Sequence, residues 1–511
     1  MNLLRKAGFL CALTTLSFTT LYAGGILTNT NTSIRFNRMF AREGAIAIDG
    51  VYSNPAGVVF MSEGLHLSFN NQSAFQTRTI RSGMHVVGLE GTPFYTPFIL
   101  NGGNEQGIKK FKGEATAPIL PSIHAAYNTG KWSLQAGFAV NGGGGKCTFN
   151  EGLGSFERTI ALIPMALNKL GMGSETPSYS VNSYLYGRQF ILGLQLGAAY
   201  KITDNFSVYG GARFNLVSNK YEGHISGITA NIGGVDENLH SFFGVKANEA
   251  AAAVAYFTQL AASATTDAQR QAYLEQAAVY SRTEQTLTYA QTAVADKYLD
   301  CTQSGWSITP IIGVDYRWNK LNIGARLEFT TKFNIENDTK RDDTGLFAHG
   351  VNTPGDLPGL FTIGAQYEIL PKLRAGVGYH YFFDKNARMA DNKQKHLSGN
   401  TQEYLAGIEY DITDKIQVSM GGQKTNYRLA DGKFLNDMSF VTSSYSLGFG
   451  VGVKVAKNVT VNAAYFWTNY KHFKKNSEQT VSLFGNDIQL QNTDDFTRTN
   501  KVFGIGVDID L

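Results

Sequence analysis

The stretch YSLGFGVGVKV (residues 445–455) has an apolar or aromatic residue at every odd position and a glycine, serine or lysine at every even position. Alternation with a period of two is typical of a β-strand whose two faces meet different surroundings. Strands of soluble sandwiches usually span only about five or six residues. A strand that crosses a membrane needs about 9–11, with apolar side chains towards lipid and polar ones towards the lumen. The stretch therefore predicts a transmembrane β-strand.

The same pattern recurs along the chain, for example in residues 206–216, 321–330 and 459–468. The interior of a bilayer offers no water to unpaired backbone groups, so such strands must close into a barrel. The predicted fold class is all-β, a transmembrane antiparallel β-barrel of about fourteen strands. The strands are predicted to begin near residues 64, 118, 132, 183, 205, 305, 320, 358, 372, 400, 415, 440, 458 and 497.

The connections between these strands are alternately short and long. The short turns lie at 128–131, 203–204, 318–319, 370–371, 413–414 and 456–457, and the long polar links at 79–113, 226–304, 335–357 and 474–496. Tight periplasmic turns and extended external loops are typical of outer-membrane barrels.

Two external links carry helical patterns. Ser155 is predicted to cap a helix that Pro164 kinks or divides. Its apolar positions recur at helical spacing: Phe156, Ile160, Ile163, Leu167 and Leu170. The second pattern covers 248–298, where Thr266 and Gln269 are placed as a capping box. A helical hairpin over the barrel mouth is the expected structure of this second segment, and a coiled-coil partner site is the alternative.

The first residues predict export. Arg5 and Lys6 precede the apolar stretch Ala7 to Leu21 and then the small residue Ala23, which is the order of a signal peptide over residues 1–23. Cys11 belongs to this segment, and Leu10 before it does not suit a lipoprotein site. Only Cys147 and Cys301 remain in the mature chain, and they are expected either to form a disulfide or to stay buried as free thiols.

Composition and motifs exclude several functions. The formal charge of +4 has no clustered basic block behind it, so nucleic acid is a poor candidate partner. The glycines at 142–145 before Lys146 do not form a phosphate-binding loop, because Val140 and Cys147 occupy two of its defining positions. The sequence contains neither HExxH, a Gly-x-Ser-x-Gly elbow nor a metal-binding Cys or His cluster, so we expect no enzyme, no metal and no cofactor.

Residues 24–63 lack the barrel alternation and contain two short motifs. Glu43 and Gly44 open the sequence EGAIA, and Asn54, Pro55 and Ala56 follow after a spacer. This arrangement resembles the N-terminal hatch of the FadL/TodX family, outer-membrane transporters of long-chain fatty acids and other hydrophobic compounds. The resemblance implies three regions: a signal peptide (1–23), a hatch inside the barrel (24–63) and a fourteen-stranded barrel (64–511) with helical insertions near 155–170 and 248–298.

The resemblance continues into the second and third strands. Gly142, Gly143, Gly144 and Gly145 fall where the third strand of the family kinks inward and opens a gap in the barrel wall. Four glycines suit such a kink because they weaken the ladder and permit bends that side chains would block. A flexible loop at the end of the strand is the alternative. In the family, the Asn of Asn-Pro-Ala lies close to this kink, which makes Asn54 the leading hatch residue.

The function implied is passive uptake of hydrophobic compounds, foremost long-chain fatty acids, by a monomer in the bacterial outer membrane, with lateral exit into outer-membrane lipid. The helix from Phe156 is a candidate capture groove, and packing on the rim is its alternative. Three predicted lumen arginines could meet a ligand carboxylate, although wall carboxylates could also pair with them: Arg213, Arg326 and Arg374. A porin for polar solutes, a surface adhesin and, more remotely, a lipase-type barrel are the rival functions; aromatic hydrocarbons and haem are rival ligands.

Overall fold

The structure is a computed structural model that describes residues 28–483 and 486–511. The predicted signal peptide (1–23), with Cys11, lies outside the described residues. None of the described helices is both long enough and apolar enough to cross a membrane.

The described residues contain eighteen strands in one antiparallel sheet. They are β1 (Gly64–Val86), β2 (Ile108–Asn128), β3 (Trp132–Phe149), β4 (Tyr179–Lys201), β5 (Phe206–Ile232), β6 (Val235–Asn238), β7 (Lys297–Trp318), β8 (Leu321–Glu328), β9 (Asn334–Asp342), β10 (Asn352–Pro354), β11 (Leu360–Leu370), β12 (Leu373–Phe382), β13 (Gln402–Asp411), β14 (Ile416–Asn426), β15 (Ser444–Ala456), β16 (Val459–Tyr470), β17 (Phe473–Leu483) and β18 (Asn486–Asp510).

Fourteen of these strands form the barrel, which closes where β18 pairs with β1. The other four, β6, β9, β10 and β17, extend the sheet beyond the rim. The predicted fold class, a closed antiparallel barrel of fourteen strands, is confirmed. Each predicted short turn lies between two paired strands, as at Gly130, whose φ of 75° suits the tight bend between β2 and β3.

Three strands begin earlier than predicted. β2, β7 and β18 start at residues 108, 297 and 486 rather than near 118, 305 and 497. Much of what the sequence suggested as external loop is therefore strand. These strands continue beyond the apolar band as polar, paired strands; β1 and β2, for example, stay paired up to Gly83 and Ile108. Beyond the band no lipid contacts the strands, so their sequence need not alternate.

The barrel exterior is apolar and the lumen side is polar. Phe214, Leu216 and Ile308 face outward and are 39–53% exposed, whereas Ser207 and Asn215 on the same strands point inward and are buried. Large aromatic side chains lie near both ends of this band: Tyr127, Trp132, Trp318, Tyr367 and Tyr410 towards the short turns, and Trp306, Tyr404 and Tyr445 towards the long loops. Aromatic girdles around an apolar band fit the two interfaces of a bilayer.

Six α-helices are described: α1 (Ile34–Arg38), α2 (Gly50–Ser53), α3 (Gly154–Glu157), α4 (Ile163–Lys169), α5 (Leu239–Ala262) and α6 (Asp267–Ala293). The predicted division of the first external helix is present, and Pro164 stands in the first turn of α4, where its missing N–H costs nothing. Leu153, not Ser155, occupies the position before α3. The second insertion is a helical hairpin, and Thr266 caps α6 by accepting a hydrogen bond from Gln269 N.

Residues 28–63, here called the plug segment, lie inside the barrel. The segment holds α1 and α2 and is buried almost throughout. Its backbone packs directly on the wall. A Cβ on Gly44 of the plug segment would collide with the backbone of β11, and a Cβ on Gly324 of β8 would collide with the Glu43 carbonyl. Glycine is required where two backbones approach this closely.

Candidate functional site

The barrel wall has a gap between β2 and β3. The two strands pair at Glu114–Thr148 and again at Ile123–Phe138, and the ladder is interrupted in between. Residues 115–122 of β2 and 139–147 of β3 therefore face each other without regular pairing. Because unpaired backbone is costly in a bilayer, this gap needs a local explanation.

Side chains and prolines reduce that cost on the β2 side. Pro118 and Pro121 carry no backbone N–H, so they add no unpaired donor. Asn71 accepts a hydrogen bond from Leu120 N at 3.1 Å, and Ser73 donates one to the Pro118 carbonyl at 2.7 Å. Both hydrogen bonds lie where the β1–β2 register shifts between Gln72 and Ala74, so side chains of β1 satisfy backbone groups of β2 at the level of the gap.

The glycines predicted as a kink line this gap on the β3 side. The register of β3 against β4 shifts twice, between Val140 and Gly142 and between Gly142 and Gly145. Gly143 has φ 101°, and a Cβ there would collide with the Gln189 carbonyl of β4. The bulged path of β3 therefore requires glycine at this position.

The plug segment touches β3 at the same place. Thr28 forms a β-bridge with Gly142, and Asn29 N donates to the Asn141 carbonyl at 2.9 Å. The Asn29 side chain donates to the Val140 carbonyl at 2.8 Å. The start of the plug segment thus supplies hydrogen bonds that β2 would supply in an intact ladder.

A cavity of about 260 Å³ lies in the lumen between the plug segment, the gap and the opposite wall. Its lower part has an apolar side formed by Phe36, Phe40, Ala74, Ala117, Leu120, Phe466 and Val502, and Asn31, Gln72 and Ser122 line the same depth. Its outer part, one or two ladder steps nearer the long loops, is polar: Gln76, Glu403, Thr425, Tyr427, Tyr470, Arg498 and Asn500. The apolar part opens on the gap, because Ala117 and Leu120 belong to its β2 edge. The cavity can therefore hold a molecule with an apolar body and a polar end.

Buried ion pairs fasten the plug segment to the wall. Arg42 binds Asp49 through two hydrogen bonds of 2.8 and 3.0 Å and reaches Glu409 of β13 at 3.3 Å. Arg35 pairs with Asp508 of β18 at 2.7 Å. Burial raises the pKa of Asp49, but the attraction of Arg42 is decisive and lowers that pKa below its ordinary value. Asp49 is thus held in its ionised form.

Glu43 takes part in a second link. His380 of β12 lies between two carboxylates, with Nε2 2.7 Å from Glu43 and Nδ1 2.9 Å from Glu403. Glu403 also lines the lumen cavity. The chain Glu43–His380–Glu403 therefore connects the plug segment to the cavity wall through buried polar groups.

Asn54, Pro55 and Ala56 hold the plug segment from below. Asn54 donates to the Asp315 carboxylate of β7 at 2.6 Å, while Gln135 donates to the Pro55 carbonyl and Ser207 to the Ala56 carbonyl, both at 2.7 Å. The motif contacts β3, β5 and β7 towards the periplasmic end. Asn54 itself bonds to Asp315 of β7, not to the kinked part of β3.

The three arginines suggested for ligand binding are placed elsewhere. Arg213 forms a bidentate pair with Glu328, and Arg326 contacts the same carboxylate at 3.2 Å. Arg374 pairs with Asp411 at 2.8 Å. None of the three is among the described residues that line the lumen cavity. The expectation that they meet a ligand is corrected: wall carboxylates already neutralise them.

The external helix is not an open groove either. Ile160, Ile163 and Leu167 are buried in the cluster under the α5–α6 hairpin, and Phe156 packs against it partly buried. The apolar face of this helix therefore packs on the barrel rim, which was the alternative to a capture groove.

The two cysteines are buried free thiols, not a disulfide. Cys147 lies on β3 and Cys301 on β7, with β4 and β5 between them. Three steps of about 4.8 Å place the strands roughly 14 Å apart, far beyond the Cα separation of a disulfide. No group of three or more metal-binding side chains occurs among the described residues.

Two arginines that the sequence analysis did not single out lie at this site: Arg78 and Arg498. Arg498 lines the outer part of the lumen cavity, and Arg78 lines a small adjoining cavity beside Gly144 and Gly145. Arg498 shares the inward parity of Gly504 and Gly506 on β18, so extending the alternation would have found it. Arg78 stands one residue before the predicted external link at 79–113, where polar residues on both faces conceal the inward side.

Comparison with known proteins concerns this architecture. No family model matches the chain, and no curated protein matches its sequence. Among solved structures, a Pseudomonas aeruginosa FadL homologue is similar over 96% of this chain and 100% of its own, at 12% identity and a TM-score of 0.56. The chain has a FadL-type fold. The TodX deltaS2S3 mutant, a monoaromatic hydrocarbon channel, is similar over 95% of this chain and 100% of its own, at 11% identity and a TM-score of 0.50.

The resemblance to the FadL/TodX family suggested by residues 43–56 is thus confirmed in the fold. At these identities the similarity concerns architecture alone. The FadL-type fold accounts for the closed barrel, whereas ligand preference depends on the residues that line the cavity of this chain.

Proposed function

We propose that this protein is an outer-membrane transporter for the passive uptake of hydrophobic compounds. The observation that carries the proposal is the interrupted β2–β3 ladder beside a partly apolar cavity, which lies above the plug segment. A barrel without a lateral path has no use for a break that leaves backbone unpaired at membrane depth. The FadL-type fold, shared with a monoaromatic hydrocarbon channel, supports the same class of ligand.

The route runs from the external loops into the cavity and then sideways through the gap into the bilayer. An apolar molecule gains roughly 0.8 kcal/mol for each methylene that it removes from water, so the apolar part of the cavity can concentrate it without an energy source. Ile119 and Pro121 stand exposed on the outer side of the gap and continue the apolar path to lipid. The gap glycines and the plug segment are the proposed functional elements, and no catalytic step is required.

Long-chain fatty acids are the proposed ligands, because the cavity combines an apolar and a polar part. Monoaromatic hydrocarbons are the second candidate, since the similar TodX structure belongs to a channel for them. A porin for polar solutes is disfavoured by the plug segment, which fills the lumen below the cavity.

Uptake measurements test the proposal. Cells that lack their own fatty-acid transporter and express this chain should take up labelled oleate faster than cells that carry an empty vector. Purified protein in a planar bilayer should show no large, steady conductance, because the plug segment closes the lumen. A steady conductance for polar ions together with no uptake of oleate or toluene would contradict the proposal and favour a porin.

A further inference from the structure

Two arginines face each other at the outer end of the lumen cavity. Arg78 of β1 and Arg498 of β18 are direct register partners, and both side chains point into the lumen and are buried. Arg78 also pairs with Gly113 of β2, one step above the place where the β2–β3 ladder is interrupted. The pair thus lies directly above the gap.

Neither guanidinium forms an ion pair with a carboxylate of the described chain. Arg498 donates to the Phe440 carbonyl at 3.1 Å and to the Gln76 side chain at 3.0 Å, and Arg78 donates to the Gly144 carbonyl at 2.8 Å. Both Nε atoms are buried without a hydrogen-bond partner. The partners present are neutral, so two positive charges stand opposite each other without compensation.

The contrast with the other buried arginines is sharp. Six arginines of the described chain are buried, and the remaining four each contact a carboxylate: Arg38 and Arg42 contact Glu409, and Arg213 and Arg326 contact Glu328. The fold therefore neutralises buried guanidinium groups wherever they only join parts of the protein. The exception is the pair that borders the cavity.

We infer that Arg498, assisted by Arg78, binds the anionic head group of a single-chain amphiphile such as a carboxylate. The inference rests on the proposed transport function and assigns its ligand a charge and an orientation. The head group lies on the cavity side of the Arg498 guanidinium, whose other contact is the Tyr470 ring, 4.9 Å from the guanidinium carbon. The alkyl chain descends past Val502 and Phe466 towards the gap. The ligand therefore leaves tail first, and a neutral hydrocarbon would lack the interaction that holds it.

Paired substrates of equal chain length test this inference. Uptake of labelled oleate and of oleyl alcohol is compared in cells that express the wild type, Arg498→Gln, Arg498→Lys or the control Arg374→Gln. Arg374→Gln removes the same charge from a wall arginine that does not line the cavity. A charge-assisted hydrogen bond is worth enough that Arg498→Gln should lower oleate uptake about tenfold. Uptake of the alcohol should not change, and Arg498→Lys should retain most oleate uptake.

If Arg498→Gln lowers uptake of oleate and of oleyl alcohol equally, at equal amounts of folded barrel, Arg498 only supports the structure. If Arg498→Gln leaves oleate uptake unchanged, Arg498 does not contact the head group. Either result overturns the inference. Binding of decanoate and decanol to the purified full-length protein in lipid nanodiscs separates site from transport. If the wild type binds decanoate more tightly than decanol and Arg498→Gln abolishes this preference, the head-group site is supported. If cells nevertheless take up neither substrate, that result counts against the transport function alone.

Discussion

At the scale of single residues, buried ion pairs hold the plug segment in place. Arg42 is 1% exposed and bonds to both oxygens of Asp49, and Glu409 completes the cluster from the wall. Removing one partner of a buried ion pair leaves the other charge unpaired, which costs far more than an exposed pair contributes. Asp49 is therefore the residue whose neutralisation should loosen the plug segment most.

Asp49→Asn is expected to destabilise the folded protein by about 3 kcal/mol because it removes the bidentate partner of Arg42 and leaves this buried guanidinium with Glu409 alone. The measurement is the thermal midpoint of the folded barrel in detergent, together with protease cleavage inside the plug segment. Asp267→Asn is the matched control, since Asp267 forms only an exposed pair with Arg270. Equal midpoints for both variants would contradict the assigned role of Asp49.

The same pair predicts a pH dependence. The folded-state pKa of Asp49 lies below its ordinary value of 3.8, so its contribution is fully present above about pH 4 and is lost as the pH falls through the folded pKa. The stability difference between wild type and Asp49→Asn should shrink on acidification below pH 4. A difference that stays constant down to complete unfolding would show that the carboxylate charge does not matter.

Alternation in the sequence predicted which side of the wall each residue faces, but not which lumen residues meet each other. Arg213 and Arg326 were correctly placed inward, yet their neutralisation by Glu328 depends on cross-strand neighbours. Arg498 also points inward, but none of the described carboxylates forms an ion pair with it. Pairing across a barrel is a property of register, which a single sequence does not specify at the level of individual contacts.

At the scale of elements, β3 and the α5–α6 hairpin depart from the regular barrel in different ways. The glycines of β3 carried a local signal, and the interrupted ladder lies where they were found. The external helix at 154–170 also carried a clear apolar spacing, but spacing alone does not distinguish a ligand groove from packing under another element. The element that covers it, the base of the hairpin, begins 69 residues after residue 170.

The hairpin is expected to be dispensable beyond its base. Leu239, Phe243 and Leu287 at the base are buried against the rim, whereas most of the outer half is exposed. Replacing residues 253–282 by a short Gly-Ser turn should leave the thermal midpoint and oleate uptake unchanged, since the base contacts remain. Uptake assays and thermal melting check this. Lost uptake at normal barrel stability would assign the outer hairpin a part in ligand capture.

At the scale of the whole molecule, three features of the barrel lie next to one another. The plug segment lies in the lumen and is held through buried ion pairs, the wall is interrupted at β2–β3, and the cavity between them has apolar residues beside the gap. In the proposed function, the plug segment hinders free passage of polar solutes through the lumen. A hydrophobic molecule in the cavity has a short path to lipid through the wall.

The most direct measurement of lateral exit compares two glycine-to-phenylalanine variants in labelled-oleate uptake. Gly144 lines the gap and has no positive φ, so Gly144→Phe can adopt the backbone while its ring fills the opening. Gly210 faces lipid on β5 with open space around it, so Gly210→Phe adds the same ring without blocking a path. The account predicts that Gly144→Phe reaches the outer membrane folded but loses uptake, while Gly210→Phe transports like the wild type. Full uptake by the folded Gly144→Phe variant would contradict exit through the β2–β3 gap.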